Sequence, residues 1–230
     1  NLLPDELNHV KYSDISWSGK GFYYCRYDAE EHSRSQNGIL KNHKIYYHTI
    51  GESQEKDKLI YKNHHEPLNT FYTRISENGK YLFIMEEDDK GASRILFKSL
   101  ANKNNSFSHL TGFDQYHYSY SGILDGKILL KTDKDAPCYK IVAIDPRKIE
   151  PEYWETLIEE KQFPLRMINV VGDKIMAAYM IHACTRLVVF NKGGVLLHEV
   201  PLPSKGWSDG FVESAEDSIA LIMFSSYTFP

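Results

Sequence analysis

Cysteine is scarce in this sequence, and the little there is carries no pattern. Cys25, Cys138 and Cys184 are the only three in 230 residues. They are odd in number, far apart and without CxxC spacing, which argues against a disulfide framework and against a zinc site. Thiols of this kind are expected in the core. Long apolar runs are missing as well: none approaches the roughly 20 residues that span a bilayer, and the N-terminus lacks the basic-then-apolar order of a signal peptide. The chain therefore reads as soluble, cytoplasmic or periplasmic, with no membrane partner. Positive charge is not in excess, since 27 Lys and Arg stand against 31 Asp and Glu for a net charge of -4. That leaves no basic footprint for nucleic acid. Helical periodicity is almost absent, which removes the helical fold classes.

What remains is strand material. The 16 Tyr and 11 Phe belong to residue types that favour strands. Short β-type runs recur between Gly, Asn and Asp turn signals with a period of about 45 residues. From Ser13 to Tyr61 the order is strand SDISW, turn SGKG, strand FYYCRYD, loop, strand HKIYYHTI, turn GESQEKD and strand KLIY. A second copy runs from Thr70 to Leu110, a third from Tyr116 to Glu160 and a fourth from Arg166 to Leu202, in which strand KIMAAYMIH ends at His182 and strand TRLVVFN begins at Thr185. WSDGFVES and SIALIMFSSY, joined by the turn Ala215 to Asp217, supply two strands of a fifth. Asn78-Gly79, Asp125-Gly126 and Gly172-Asp173 sit between apolar runs, where a hairpin needs φ > 0. Ile149 to Lys161 has some helical spacing, but Pro151 and the repeat register favour loop then strand.

Up-and-down four-stranded units at this period are the signature of propeller blades, each burying its faces only against its neighbours. The expected fold is all-β: a partial propeller of about four and a half antiparallel blades, with blades at 10–62, 68–112, 115–161 and 165–203 and a half blade at 206–230. The chain starts at Asn1 rather than Met and stops at Pro230 inside an aromatic run, so a piece of a longer protein is expected. Uncovered blade edges would then favour self-association.

Catalytic motifs do not emerge from the pattern. G-x-S-x-G, the strained elbow that exposes a nucleophilic serine, is missing. Ser18-Gly19-Lys20-Gly21 lacks the order of a phosphate-binding loop and reads as a hairpin turn. The ten histidines form no H-E-x-x-H, and the adjacent His64 and His65 would point to opposite faces of a strand, so neither a metal nor another cofactor is expected. The acidic cluster Glu86, Glu87, Asp88 and Asp89 lacks the alternation of a calcium loop and reads as solvated. Asn104-Asn105-Ser106 matches a glycosylation sequon, a short and unspecific pattern.

Several stretches, weak singly but collinear, resemble the propeller of the prolyl oligopeptidase family of serine peptidases. They are Leu3-Pro4-Asp5, Val10 to Trp17, Gly21 to Tyr24, His43 to His48, Asp57 to Tyr61, Ile75 to Leu82, Gly194 to Leu197, Glu199 to Pro203 and Phe224 to Pro230. The resemblance implies a seven-bladed propeller capping an α/β-hydrolase domain that carries a Ser, Asp and His triad and cleaves short peptides after proline. It also implies that the first blades and the hydrolase domain lie outside this chain, so no triad residue carries over. The propeller's implied role is a size filter for oligopeptides. Among substrate-facing positions, the resemblance points to Tyr23, where the family commonly has Phe, and to the strand from Arg94 to Lys98. Lys98 stands where a small apolar or thiol residue is implied. Packing between blades is the competing role for Tyr23, and pairing within the strand for Arg94. An oligopeptidase B-like peptidase, cleaving after Arg or Lys, and a free-standing binding propeller are the alternatives. The His43 to Gly51 run favours the prolyl type, and a terminal half blade argues against the free-standing form. A glycosidase would need two acids at equivalent central positions, which the repeats do not supply.

Overall fold

Alternation of apolar side chains decides each strand, because successive residues of an extended chain point to opposite faces. The structure, a computed structural model, describes residues 5–28, 40–102, 106–213 and 220–227, with the backbone alone at 209–213. The sequon residues Asn104 and Asn105, the turn Ala215 to Asp217, Leu3-Pro4 and Thr228 to Pro230 lie outside the described residues. Two compact units divide at Gln115 and Tyr116. No described helix is long and apolar enough to cross a membrane.

The first unit holds two four-stranded antiparallel sheets, each in simple sequence order. One is β1 (Ser16–Ser18), β2 (Gly21–Arg26), β3 (Lys44–Thr49) and β4 (Lys58–Lys62). The other is β5 (Thr70–Ile75), β6 (Tyr81–Glu87), β7 (Ser93–Ser99) and the two-residue β8 (Ser108–His109). Tyr23, Cys25 and Ile45 of the first sheet pack with Phe71, Leu82, Ile84 and Leu96 of the second. The intervening Phe22, Tyr24 and Tyr46 form a separate cluster with Leu7 and Ile50 on the opposite face. A strand apolar on both faces thus reads as the unbroken run FYYC, with both faces covered. Each fully buried Phe, Leu or Ile here removes apolar surface worth about 1.5–3 kcal/mol.

The second unit repeats the plan. Its sheets are β9 (Tyr118–Leu124), β10 (Lys127–Thr132), β11 (Lys140–Ile144) and β12 (Glu155–Ile158), then β13 (Leu165–Val171), β14 (Lys174–Ile181), β15 (Cys184–Asn191) and β16 (Leu196–Val200). A two-stranded sheet of β17 (Trp207–Glu213) and β18 (Ala220–Ser225) follows. Leu129, Ile141 and Ala143 pack against Ile175, Ala177 and Phe190 across the gap between the first two of these sheets. Two glycines sit where those sheets approach closely, one facing a side chain and the other main chain. A Cβ on Gly122, whose φ is +124°, would lie 3.0 Å from Val170 Cγ2, and one on Gly194 would lie 1.8 Å from the Leu157 carbonyl oxygen.

Turn chemistry agrees with the sequence at Gly79, Asp125, Gly126 and Gly172, all with positive φ. It departs at the β14–β15 hairpin, where the turn is His182-Ala183, one residue earlier than the sequence suggests. Both residues have positive φ, 49° and 61°, because Ile181 pairs with Cys184 and a two-residue reversal between them requires it. Residues 151–153 form one 3-10 turn before β12, as the proline allows. Two cysteines also depart from expectation. Cys25 is fully buried, but Cys138 and Cys184 are only half-buried, since Cys138 precedes β11 in a loop and Cys184 opens β15 beside a turn.

Candidate functional site

The residues the resemblance singles out share one unit and one inter-sheet region. Tyr23 is 8% exposed. Its ring lies 4.9 Å from that of Tyr47, and burial, then Tyr47, raises its pKa. It belongs to the apolar cluster that joins the two sheets of the first unit.

Arg94 and Lys98 are four residues apart on β7, so both project to the side of Leu96, the face that packs in this cluster. Arg94 lies directly across from Glu86 in the β6–β7 ladder. Its Nε and Nη2 each donate to Glu86 Oε2 at 2.8 Å, and its guanidinium sits 4.6 Å over the Phe113 ring. Lys98 Nζ lies 4.8 Å from the Phe107 ring centre, and burial lowers its pKa.

Glu86 is the correction this region forces. Read from sequence as part of a solvated acidic run, it is fully buried. Asn63 and Asn69 donate to its Oε1 at 2.6 and 2.8 Å, and Tyr61 Oη donates to Oε2 at 3.3 Å. A carboxylate out of water is tolerable only with its charge and lone pairs met in this way. Its position was legible from alternation, since Leu82, Ile84 and Glu86 share one face. The acids that follow it disguised the pattern. Asp88 itself closes the hairpin, its Oδ1 accepting from the Lys90 and Ala92 amides.

A second network escaped the sequence altogether. His48, fully buried on β3, stands between Asp57 Oδ1 at 2.8 Å from Nδ1 and Asp5 Oδ1 at 3.0 Å from Nε2. Tyr24 Oη donates to Asp57 Oδ2 at 2.5 Å, and Gln54 Nε2 donates to Tyr24 Oη at 3.0 Å. Burial pulls the imidazole pKa down, but hydrogen bonds and charge from Asp57 and Asp5 outweigh it and the pKa is raised. Both ring nitrogens facing carboxylates is the arrangement that suits an imidazolium. The Gly51 amide and His48 hold the Asp5 pKa down. The chain near Asp5 is thereby tied to the sheet 43 residues on, a separation no local pattern records.

As a nucleophile Cys25 is ill placed. Its Sγ donates to the Phe71 carbonyl at 3.2 Å, and burial pushes its pKa up to about 12, far from the thiolate that attack requires.

All 230 residues match the family model described as the prolyl oligopeptidase N-terminal β-propeller domain. This chain belongs to that family. A curated prolyl endopeptidase from Elizabethkingia miricola is 30% identical over 99% of this chain. The chain spans about a third of that relative's length, 32%. A solved prolyl oligopeptidase B from Galerina marginata, bound to a 35mer hydrolysis and macrocyclization substrate, superposes with a TM-score of 0.85 at 24% identity, covering 97% of this chain and 31% of that one. Oligopeptidase B from Leishmania major superposes at 0.69 and 15% identity over 89% of this chain and 29% of that one. These likenesses show the fold, a partial propeller of four-stranded antiparallel sheets.

Proposed function

We propose that this chain is the substrate-gating propeller segment of a prolyl oligopeptidase-like serine peptidase, which hydrolyses short peptides after proline with a nucleophile held in a hydrolase domain elsewhere in a longer protein. The observation that carries this reading is the family match across residues 1–230, together with sheets that bury their faces against the next repeat. Sheets packed in this way within each unit present a fixed surface, and chemistry is left to another domain. We read the blades as 10–62, 68–112, 115–161 and 165–203, with a half blade at 206–230; each range encloses one of the observed sheets.

Within the segment, Lys98 and the edge of the Arg94 guanidinium not engaged by Glu86 are what we assign to peptide contact, because each side chain is half-buried on a defined strand. The burial of Tyr23 supports a packing role beside them. Leu221 and Met223 on β18 are 64% and 63% exposed, and this uncovered strand is the surface we assign to self-association, read by sedimentation across concentrations.

The test is hydrolysis. This chain alone is expected to leave a Gly-Pro chromogenic peptide intact, and a longer protein containing it is expected to cleave that peptide in preference to an Arg substrate. Preference for Arg would transfer the reading to the oligopeptidase B type. No peptide cleavage by any longer form would leave a binding propeller.

A further inference from the structure

Buried or half-buried cations in folded chains are ordinarily neutralised. In the second unit the half-buried Lys127 and the exposed Arg147, Lys174, Arg186 and Lys192 each sit within salt-bridge distance of a carboxylate. Lys131 on β10 and Arg166 on β13 are half-buried, and among the described residues neither has such a partner.

They are neighbours by construction. Lys131 Nζ donates to the Arg166 backbone carbonyl and lies 4.8 Å from the Tyr139 ring centre. The Arg166 guanidinium lies 3.7 Å over the Trp207 ring. Stacking uses the face of a guanidinium and leaves its in-plane N–H fork available, and one carbonyl uses one of an ammonium's three donors. Burial lowers the Lys131 pKa, and the positive charge of Arg166 lowers it further. Among the described residues the pair therefore keeps donors to spare, with an aromatic ring against each cation. Trp207 also lines a cleft of about 480 Å³ with His182, Lys205 and Tyr227.

We propose that Lys131 and Arg166, walled by Tyr139 and Trp207, form a docking site for the free C-terminal carboxylate of an oligopeptide. A carboxylate matches the guanidinium fork in two parallel hydrogen bonds, and the ammonium supplies a third donor from the side. The choice of a peptide as the bearer rests on the gating role proposed above; the two cations and the rings beside them stand independently of it. A free chain end is common in short peptides and sparse on folded proteins, so such a site would select by the same criterion as a size filter.

The experiment uses the 230-residue chain with the indole 1H–15N signal of Trp207 as reporter. It is titrated with an acetylated tripeptide acid, the same tripeptide as its C-terminal amide, an amidated peptide carrying an internal Glu, and inorganic phosphate at matched ionic strength. The acid is expected to shift the Trp207 signal saturably and to bind at least about tenfold more tightly than either amide, a difference of about 1.4 kcal/mol. Arg166→Gln and Lys131→Met are each expected to remove that preference, whereas Arg186→Gln, an exposed residue paired with Glu199, leaves it intact. Should one variant lose its dispersed amide spectrum, the other carries the test. Equal binding of the amide or of the internal-Glu peptide would overturn the assignment, as would acid binding indifferent to both variants. Phosphate binding without any acid binding would overturn the peptide ligand too, and would leave the gating role to the hydrolysis test.

Discussion

The fully buried charges of the first unit and the half-buried cations of the second are met in different ways. In the first, Glu86 is met by Arg94, Asn63, Asn69 and Tyr61, and His48 is met by Asp5 and Asp57, so each of these buried charges faces its opposite. In the second, Lys131 and Arg166 meet a carbonyl and aromatic faces among the described residues. The same four-stranded plan thus accommodates charges paired with carboxylates and cations held against rings, the latter also at Lys98 in the first unit. Sheet architecture alone does not decide where a ligand can be held. The pairing across the ladder does: Glu86 falls opposite Arg94, whereas Lys131 falls opposite Ile141.

The sharpest way to break the contrast is to open a closed network. Arg94→Met leaves the Glu86 carboxylate buried without its cation and is expected to destabilise the chain by about 3–5 kcal/mol, measured by urea unfolding. Adding Glu86→Leu to Arg94→Leu should recover much of that loss. A double variant as unstable as the single one would refute the account of Glu86 as an ion that needs its partner.

A smaller effect concerns pH. Because the His48 pKa is raised in the folded chain, its stabilisation is whole below the ordinary histidine value and is lost as pH rises through the raised value. His43 acts in the opposite sense: burial brings its pKa down to about 4, so its contribution is whole above the ordinary value and is lost as pH falls below about 6.5. Asp5, whose pKa is lowered, adds a further loss at acid pH. The urea midpoint is therefore expected to fall on the alkaline side of neutrality, and His48→Gln is expected to flatten that limb. An equal alkaline fall in the variant would show that His48 is not its source.

The least expected effect is a gain. Ala183 holds φ 61°, a conformation that disfavours any residue with a Cβ. Ala183→Gly is expected to raise stability by roughly 0.5–1 kcal/mol, the relief of strain exceeding the added freedom of the unfolded chain. A drop in melting temperature would show that the turn is not strained.

Strand order was legible in the sequence, and most strand ends to within a few residues, because apolar alternation and Gly-bearing turns state it locally. β6, read as YLFIMEE, spans Tyr81–Glu87, and the turns at Gly79 and Gly126 sit where their glycines mark them. What stayed hidden is what depends on partners distant in sequence or on turns without signal. His182-Ala183 contains neither Gly nor Asn, so the reversal looked one residue later than it is. Glu86 was masked by the acids behind it. Cys138 and Cys184 were assigned to the core by residue type, although their places beside a loop and a turn keep them half-buried. Of the candidate peptide contacts, the pairing of Arg94 could be read by counting back from the hairpin, but the crowding of Lys131 against Arg166 could not, since 35 residues separate them.

Gly122 and Gly194 sit at opposite edges of neighbouring sheets, one against Val170 and the other against the Leu157 carbonyl. Together they work as spacers of zero thickness: bare main chain meets the Val170 side chain at one rim and the Leu157 carbonyl at the other. A methyl group at the Gly194 rim would drive into the Leu157 carbonyl and wedge that edge apart, whereas one at the Gly122 rim would press only on the Val170 side chain.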